Sequence, residues 1–590
     1  MSLIQGTGGG LGGAGAPGGA LASSSGVVFS HTVTNSARFS DDSNSTLIFT
    51  PGTPSSTSVW TMSVWMKKYD PDASGSANEF FSAGTSGSAY SFATFSSANQ
   101  QFVVANEQGG AKNKQWYNRR FRDPAAWFHL VLRSDLGESI QDDRLRFYIN
   151  GDLQESTSDG ITMTSWSYIN ASGVTQNWGG KTGIANGNPG CNFYLADINF
   201  TDGQSYEPTE FGETVDGVWV PKNPSVTYGN NGYRLEFKQT GTGGASSSTI
   251  GADTSGNDNH FTDSGFSAHD IVPDSPTNNF ATLNVLDETI GTPTISEGNL
   301  KISSSGSGYD GTYSTIPVTS GKWYAEFLFI SGDDRGAFGV VREDRLSYTN
   351  GSAYIGSLLD TYGIDFRARL HTGTSATTSS GSTIFDATNY SAGDMGLLCF
   401  DVDAGKLWFG RRDVSGSTTI WYDSSGNNNG DPSAGSNPTF TFTATGSTWY
   451  IGCHDYAGTS LMANFGQDGS FAGNITSQNA SDANGIGNFN YIETGFLALC
   501  TSNLPDITIG PGQTTQADDN FNTILYSGSD FTDLHIGAGG ARRPVDTVSI
   551  ANSLRFDDSS LHRDITSSGN TQTWTWSAWV KRSSLGGSNG

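Results

Sequence analysis

The sequence predicts an all-β protein made of tandem β-sandwich (jelly-roll) domains, joined by irregular connectors rich in Gly, Ser and Asn. Gly supplies 77 of the 590 residues, and aromatic residues make up 12% of the chain. This mixture is typical of short strands that alternate with tight turns. The chain lacks the long runs of Ala, Leu, Glu, Lys and Arg that favour helices. Its length requires more than one hydrophobic core, so we expect several domains.

Strand signals start at Val27 and recur through a first predicted sandwich, residues 27–222. From Trp60 to Met66 every second side chain is apolar, which is the alternation of a strand with one buried face. The pair Asn150-Gly151 ends another alternating run and favours a tight hairpin turn, because both residues adopt positive φ easily. The predicted strands are Ser36–Phe39, Val59–Lys67, Phe80–Ala83, Phe92–Phe95, Phe102–Ala105, Phe128–Arg133 and Arg144–Asn150.

A second run of strands predicts another sandwich over residues 300–505. Residues 223–299 and 506–545 are rich in Gly, Ser, Asn and Asp and are predicted as connectors, apart from a strand-like run at Asn522–Tyr526. The predicted strands of the second sandwich are Trp323–Ser331, Ala337–Val341, Tyr362–Arg369, Gly396–Arg411 and Trp449–Cys453.

An internal repeat predicts the start of a third sandwich at residues 546–590. Residues 35–43 are echoed by residues 552–560, and Trp60–Lys67 by Trp574–Lys581. A pattern repeated in the same order predicts a duplicated domain. The residues after 545 are too few to complete a sandwich, so we expect either that the chain continues beyond 590 or that another chain supplies the missing strands.

The charge and the cysteines exclude several classes of protein. A net charge of -26 opposes adsorption to a phosphate backbone, so we predict no nucleic-acid partner. No stretch approaches the roughly 18 apolar residues of a membrane span. The four cysteines form no C-x-x-C pair and are predicted to be buried thiols, not zinc ligands or a disulfide framework.

Two groups of segments carry a resemblance to known domains. Residues 27–220 resemble the pentraxin-like branch of the laminin-G/concanavalin A-like lectin superfamily, in the segments Ser36–Asp42, Val59–Lys67, Trp127–Leu132, Leu145–Gly151 and Phe193–Phe200. Residues 321–466 resemble a SPRY domain, in the segments Gly321–Phe327, Gly393–Phe409 and Ala463–Gly466. The resemblance implies two sandwiches used for recognition.

The connectors resemble those of phage structural and tail-fibre proteins, in the segments Gly251–Phe261, Asp274–Asn284, Gly495–Pro505 and Asp519–Gly528. This resemblance implies a virion structural protein, a tail fibre or surface fibre that binds host-surface glycans and is displayed outside the cell after assembly in the host cytoplasm. We expect a homo-oligomer, with a trimer favoured, because several copies raise the effective concentration of weak sites. Two alternatives stay open, namely a capsid or tail decoration protein with a purely structural role and a polysaccharide depolymerase.

Residues 1–26 are nearly pure Gly, Ala and Ser and offer no side chains for a core. The segment lacks the charged leader and apolar stretch of a secretory signal. One interpretation is a disordered leader. The other is an arm that docks the protein onto other virion proteins through Leu3, Ile4 and Leu11.

The residues predict binding without catalysis. The superfamily of the first sandwich includes glycanases, which need two carboxylates about 5 to 5.5 Å apart. A Glu-x-Asp-x-x-Glu run would place them on one strand face, and the sequence has none. The eight histidines show no metal-ligand spacing. We therefore predict that the protein is not an enzyme and requires no cofactor.

A calcium site is the one metal hypothesis. Asp41 and Asp42, repeated as Asp557 and Asp558, follow the first strand of each lectin-like unit. The resemblance implies Ca²⁺ at this position, held by carboxylates and backbone carbonyls. The alternative is turn chemistry, because Asp bends and caps loops without a metal.

One cluster of cations and aromatic rings is the candidate ligand-binding site. Flat rings beside cations stack on sugar faces and attract anionic polysaccharide. A solvated hairpin or an inter-subunit contact explains the same residues equally well. The cluster consists of Lys112, Lys114, Trp116, Tyr117, Arg119, Arg120 and Arg122.

Overall fold

The structure, a computed structural model, is built from β-strands and five short 3-10 turns, with no α-helix in the part of the chain that it describes. This confirms the predicted all-β class. No helix there is long and apolar enough to cross a membrane. The 3-10 turns are Gln141–Asp143, Pro208–Glu210, Ala268–Asp270, Glu343–Arg345 and Thr501–Asn503. The described residues are 29–504 without 71–78, 97–99, 109–110, 157–161, 163–164, 181–190, 216–217, 287–289, 304–307, 346–353, 374–381, 387–389, 414 and 416–417, together with 534–536 and 542–544.

The first sandwich consists of two antiparallel sheets and a hairpin. Its strands are β1 (Ser36–Phe39), β2 (Thr46–Phe49), β3 (Val59–Lys68), β4 (Glu79–Ser86), β5 (Ala89–Phe95), β6 (Gln101–Gln108), β7 (Ala111–Arg120), β8 (Trp127–Asp135), β9 (Leu145–Ile149), β10 (Asp152–Gln154), β11 (Thr175–Trp178), β12 (Phe193–Asp202), β13 (Gly212–Val215), β14 (Val218–Pro221), β15 (Tyr233–Leu235), β16 (Thr262–Ser264) and β17 (Ile271–Val272). The larger sheet has the order β10-β9-β8-β3-β12-β1-β17, with β15 also paired to β12. The second sheet has the order β16-β2-β11-β4-β5-β6-β7, and β13 pairs with β14.

The second sandwich repeats this plan with a different order of strands. Its strands are β18 (Thr294–Ser296), β19 (Lys301–Ser303), β20 (Tyr309–Tyr313), β21 (Lys322–Ser331), β22 (Ala337–Arg342), β23 (Thr361–Asp365), β24 (Arg369–Thr372), β25 (Ser382–Asp386), β26 (Met395–Asp401), β27 (Lys406–Arg412), β28 (Thr419–Trp421), β29 (Phe440–Thr441), β30 (Trp449–Tyr456), β31 (Ser460–Asn464) and β32 (Leu497–Ala498). The larger sheet runs β18-β19-β31-β21-β26-β27-β28, with β29 on β27 and β32 on β21. The smaller sheet runs β20-β30-β22-β23-β24-β25. A separate pair, β33 (Leu534–Ile536) and β34 (Arg542–Pro544), follows.

An aromatic core fills each sandwich. In the first, Phe102 and Phe147 stack across the two sheets with ring centroids 4.1 Å apart. In the second, Phe327 and Phe338 do the same at 4.7 Å. All four rings are fully buried, and buried aromatic area of this kind dominates the stability of a core. The four cysteines are buried free thiols, as predicted.

Short-range patterns predict the strands well except where a turn interrupts a continuous run. The predicted hairpin turn is confirmed, because Asn150 and Gly151 adopt φ values of 50° and 81° between the paired strands β9 and β10. The run Tyr362–Arg369 instead contains the turn between β23 and β24, and Gly396–Arg411 contains the turn between β26 and β27. Apolar and polar residues alternate both before and after each turn, so the pattern alone does not show where one strand ends and the next begins.

Residues 223–299, predicted as a connector, supply strands to both sandwiches. β15 and β17 extend the larger sheet of the first sandwich, β16 adds to its second sheet, and β18 opens the second sandwich. Each of these strands has only two or three residues, which is too short for alternation to reveal.

The outer face of the larger first sheet is covered by a stack of three rings. His129 lies between Trp65 and Trp219, with centroid distances of 4.7 and 6.0 Å. The Trp219 Nε1 group donates a hydrogen bond to His129 Nδ1 at 3.0 Å. Burial lowers the pKa of His129 to about 3, so the ring is neutral and accepts this bond. The stack fixes the β13–β14 hairpin to the sheet.

A buried ion pair ties the first sandwich to the chain that leaves it. The Lys67 ammonium on β3 lies 2.6 Å from Asp274 Oδ2, and both side chains are fully buried. Asp274 also accepts a hydrogen bond from Trp127 Nε1 at 3.0 Å, and Lys67 donates to Asn279 Oδ1 at 2.9 Å. A buried charge that loses its partner costs several kcal/mol, so this pair holds residues 274–279 against the sheet.

Arg38 extends the same connection to the second sandwich. Its guanidinium is fully buried and lies 3.0 Å from Asp270 and 3.5 Å from Asp468. Asp270 precedes β17, whereas Asp468 follows β31 in the second sandwich. One buried cation therefore contacts carboxylates from both sandwiches. We refer to Arg38 and Lys67 with their carboxylate partners as the interdomain clamp.

The segments at residues 274–284 and 495–504 contact each other. The Asn279 N–H donates to Thr501 Oγ1 at 2.9 Å, and the Thr501 N–H donates to the Asn279 carbonyl at 2.9 Å. The Ser502 N–H donates to Asn278 Oδ1 at 3.1 Å. These segments therefore form one unit of structure that joins the ends of the second sandwich to the clamp.

We predict that the clamp is a main determinant of stability. Asp274→Asn leaves the Lys67 charge buried without a carboxylate and is expected to lower the free energy of unfolding by about 3 kcal/mol, measured by urea denaturation. Lys238→Ala, which removes an exposed ion pair with Glu236, is the control and should change stability by less than about 1 kcal/mol. Equal effects of the two variants would contradict the proposed role.

A buried carboxylate holds the outer cover of the larger second sheet. Glu326 on β21 accepts the backbone N–H groups of Asn490 and Tyr491 at 3.1 and 2.6 Å, and Asn464 Nδ2 donates to it at 3.0 Å. Burial outweighs these bonds and raises the pKa of Glu326 from its usual 4.5 to about 7. The folded protein therefore holds this proton more tightly than the unfolded chain does.

The second prediction follows from the sign of this pKa shift. A raised carboxyl pKa contributes stability that is complete below pH 4.5 and is lost as the pH rises through about 7. Between pH 5 and pH 8, the free energy of unfolding of the wild-type protein should fall by about 3 kcal/mol relative to that of Glu326→Gln. The measurement is thermal unfolding of both proteins at several pH values. A difference in stability between the two proteins that stays constant from pH 5 to pH 8 would contradict the assignment.

Candidate functional site

The predicted cluster of cations and rings lies on β7, the last strand of the second sheet of the first sandwich, except for Arg122, which follows the strand. The register pairs Trp116 with Val103 and Lys114 with Ala105 on β6. These side chains belong to the outer face of the sheet, because the residues between them face the core. An edge strand with cations resists pairing with other chains, so part of this pattern has a purely structural explanation.

Trp116 and Lys114 form a contact that the position of β7 at the edge of the sheet does not explain. The Lys114 ammonium lies 5.3 Å from the centre of the Trp116 ring, within the range of a cation–π contact. Lys114 is exposed and Trp116 is half-buried. Beside them, Tyr90 and Phe92 on β5 stack at 5.1 Å and are almost fully buried. The result is a small, covered aromatic cluster on the outer side of the sheet, with the half-buried Trp116 and the exposed Lys114 at its rim.

The remaining predicted residues divide between the surface and the core. Arg119 and Arg122 are exposed and Arg120 is half-buried, so they extend the cationic rim. Tyr117, in contrast, is buried and its hydroxyl points to the Leu145 carbonyl at 3.4 Å. Tyr117 is therefore part of the core, because the alternation of β7 turns it inward. The side chain of Lys112 lies outside the described residues.

The sequence analysis missed Tyr90 and Phe92. Both side chains lie on the outer face of β5, whereas Ala93 and Phe95 on the same strand face the core of the sandwich. The signal in the sequence was that β5 carries apolar residues on both faces, which indicates that its outer face is covered as well. Only the pairing of β5 with β6 and β7 shows that these rings share a face with Trp116.

The other predicted sites are placed less fully. Asp41 and Asp42 lie in the turn after β1, where the Asn44 N–H donates to the Asp41 carbonyl at 3.2 Å and the Asp41 N–H donates to Asn192 Oδ1 at 3.1 Å. These bonds fit turn chemistry, and calcium binding stays a prediction. The repeated pair Asp557 and Asp558 and the arm residues Leu3, Ile4 and Leu11 lie outside the described residues.

A different group has the geometry of a metal site but already contains a cation. His31, Asp197 and Glu236 each place one potential ligand atom within 4.8 Å of the others. The Arg234 guanidinium lies among them, 2.8 Å from Asp197 and 3.6 Å from Glu236. Burial lowers the pKa of His31, whose Nε2 lies 3.1 Å from Arg234 Nη2. This group is an ion-pair cluster that anchors the start of the sandwich.

No family model and no curated protein matches the chain. Solved structures that are similar include the human HERC1 SPRY domain, with 13% identity, 31% of this chain and 96% of that chain covered, and a TM-score of 0.22. A heptameric SAP-like pentraxin from Limulus polyphemus is 14% identical, with 30% of this chain and 78% of that chain covered and a TM-score of 0.23. A putative carbohydrate-binding protein from Bacteroides ovatus is 15% identical, with 39% of this chain and 58% of that chain covered and a TM-score of 0.29. At these identities and TM-scores the likeness carries no inference about a ligand.

Proposed function

We propose that the chain is an adhesion protein that binds an anionic surface polysaccharide through the accessible side chains of β7, Lys114 and Trp116. The observation that carries the proposal is the contact between the exposed Lys114 ammonium and the half-buried Trp116 ring. Sugar rings present C–H faces that stack on indole, and uronate groups pair with ammonium and guanidinium. The proposed role is binding without catalysis.

The charge of the whole chain sharpens this proposal. With a net charge of -26, the protein repels polyanions over most of its surface. Lys114, Arg119 and Arg122 are exposed cations that lie close together along the chain, and they create a local region of opposite sign. An anionic polymer would therefore be directed to this strand by the surrounding field.

The third prediction tests this surface. Binding of the full chain to immobilised alginate, a polyuronate, should weaken about tenfold in Trp116→Ala and in Lys114→Ala, since each removes a contact worth about 1 kcal/mol or more. Binding should also fall as the salt concentration rises, because exposed charges are screened. The measurement is surface plasmon resonance, with Lys238→Ala as an exposed-cation control that should bind normally.

Three results would contradict the proposal. Unchanged binding by both variants would place the polysaccharide elsewhere. Binding to dextran, a neutral polymer, as strong as binding to alginate would show that the cations do not contribute. Release of new reducing ends from alginate would favour the depolymerase alternative.

We further propose that the protein is a fibre on a phage virion, attached through residues 1–26. The support is the resemblance of the connectors at residues 251–261, 274–284, 495–505 and 519–528 to those of phage structural proteins. Two of these segments pair with each other at the clamp, so they have a mechanical task in joining domains. A fibre that bears load between particle and host requires such joints.

The fourth prediction separates attachment from binding. Deletion of residues 1–26 should yield particles that lack the protein, as read by immunoblotting of purified virions, because the arm has no core and folds only against a partner. The same truncated protein, purified, should bind alginate as the full chain does. Normal incorporation of the truncated protein would contradict the docking role of Leu3, Ile4 and Leu11.

A further inference from the structure

Lys67, Asp274 and Asn279 meet at a buried point between β3 and the segment that leads to the second sandwich. Lys67 Nζ lies 2.6 Å from Asp274 Oδ2 and donates to Asn279 Oδ1 at 2.9 Å. An amine, a carboxylate and a carboxamide in mutual contact are the groups that an amide bond between two side chains requires. The amine is the nucleophile once it loses a proton, the carboxylate takes that proton, and the carboxamide is the acyl group that is attacked.

The surroundings exclude water from the reacting nitrogen. The side chains of Lys67 and Asp274 have no exposed surface. The Tyr194 ring, which is also fully buried, has its centre 5.4 Å from Nζ. Buried charges carry a desolvation penalty, and transfer of one proton from Lys67 to Asp274 removes both charges at once. The neutral amine that results is the nucleophilic form of lysine.

The carboxamide of Asn279 is held in one orientation. Its Oδ1 atom faces Lys67, whereas its Nδ2 atom donates to the Ala125 carbonyl at 2.9 Å. Its backbone exchanges two hydrogen bonds with Thr501, so the whole residue is fixed. A carbonyl carbon lies about 1.2 Å from its oxygen, which puts Asn279 Cγ within about 4 Å of Nζ, close to the roughly 3 to 3.5 Å of a reacting pair.

Asp274 is oriented as a base toward Lys67. Its Oδ1 atom accepts a hydrogen bond from Trp127 Nε1 at 3.0 Å, and the Phe280 N–H approaches the same atom at 3.4 Å. The Oδ2 atom is the one that faces Lys67. The carboxylate therefore cannot rotate without losing these bonds, and it stays within reach of the protons that the reaction moves.

We infer that Lys67 and Asn279 form an intramolecular isopeptide bond, with Asp274 as the catalytic residue that moves the protons. Asp274 Oδ2 takes one proton from the ammonium, and the freed electron pair on Nζ attacks Cγ of Asn279. Asp274 passes its proton to Nδ2, the Cγ–Nδ2 bond breaks, and Nδ2 leaves as ammonia. Asp274 then takes a second proton from Nζ, which leaves a neutral Nζ–Cγ amide. One amide replaces another, so the step needs no oxidant or reductant.

The product suits the buried site better than the starting groups do. The structure shows the ion pair of Lys67 and Asp274, which is the state before the bond forms. After the reaction the site holds an amide and a carboxylic acid, both uncharged, and the desolvation penalty of the two ions is gone. Asn279 is only half-buried, which gives the ammonia a path to solvent.

The bond would strengthen the contact between the two sandwiches. It would join β3 of the first sandwich covalently to the unit formed by residues 274–284 and 495–504, and so link two residues that are 212 positions apart in the chain. A covalent link holds when the ion pairs and hydrogen bonds of the interdomain clamp break. The reaction uses only groups of this chain, so it would proceed whatever ligand the protein binds.

Peptide mass spectrometry of the purified full chain tests the bond. Proteolysis of the denatured wild-type protein should release one branched product, in which a peptide with Lys67 is joined to a peptide with Asn279. Its mass should be lower than the sum of the two peptides by one ammonia molecule. Trypsin should not cut after Lys67, because the modified side chain has lost its charge.

Variants of the three residues separate the bond from the ion pair. Lys67→Arg keeps a positive charge opposite Asp274 but removes the nucleophile, and Asn279→Ala removes the acyl group, so both should lose the branched product completely. Asp274→Ala should lose it as well, although Lys67 and Asn279 remain. The matched control is Asn278→Ala, which removes the neighbouring carboxamide that accepts the Ser502 N–H and should keep the branched product.

Three results would overturn the inference. The first is a wild-type protein that yields only unlinked peptides, a result that requires no variant to fold. The second is a branched product that joins Lys67 to Asp274 and is lighter by one water molecule, because the carboxylate would then be the acyl group. The third is a branched product that survives in Asp274→Ala, since the protons would then move without that carboxylate.

Discussion

The contact between the two described sandwiches depends on two buried cations. Arg38 and Lys67 lie on neighbouring parts of the larger first sheet and are fully removed from water. Charges in such a place are tolerated only when carboxylates are held against them, and those carboxylates come from residues 270–274 and from Asp468 in the second sandwich. The electrostatic requirement of the first sandwich therefore fixes the path of the chain out of it and its contact with the second.

The outer faces of the two larger sheets are covered by other parts of the chain. In the first sandwich, the clamp and the Trp65–His129–Trp219 stack cover the larger sheet. In the second, residues around Asn490 cover the larger sheet through Glu326. The outer faces of the smaller sheets carry the cationic rim at Lys114 and a small cavity lined by Arg335 and His371. The first of these regions carries exposed cations, whereas the arginines of the second are paired with carboxylates.

The connectors have a larger part in the fold than their composition indicates. Residues 274–284 are rich in Asn, whereas residues 495–504 are largely apolar. Asn279, Thr501 and Ser502 exchange backbone and side-chain hydrogen bonds that join the two segments. Polar residues suit this task, because irregular backbone must find partners for its N–H and C=O groups once it is buried. The same segments also place Phe280, Phe496 and Leu499 in the core of the second sandwich.

The sequence alone determined the all-β class, most strands, the Asn150-Gly151 turn and the buried state of the cysteines, because each depends on residues close together in the chain. It also drew attention to β7. The tertiary structure decided that Tyr117 belongs to the core, that residues 223–299 complete two sheets, and that Lys67 and Asp274 form a pair. It alone brought Tyr309, His371 and His454 to one cavity. Such contacts join residues far apart in the sequence, and no local pattern records which strands become neighbours or which face of a sheet stays uncovered.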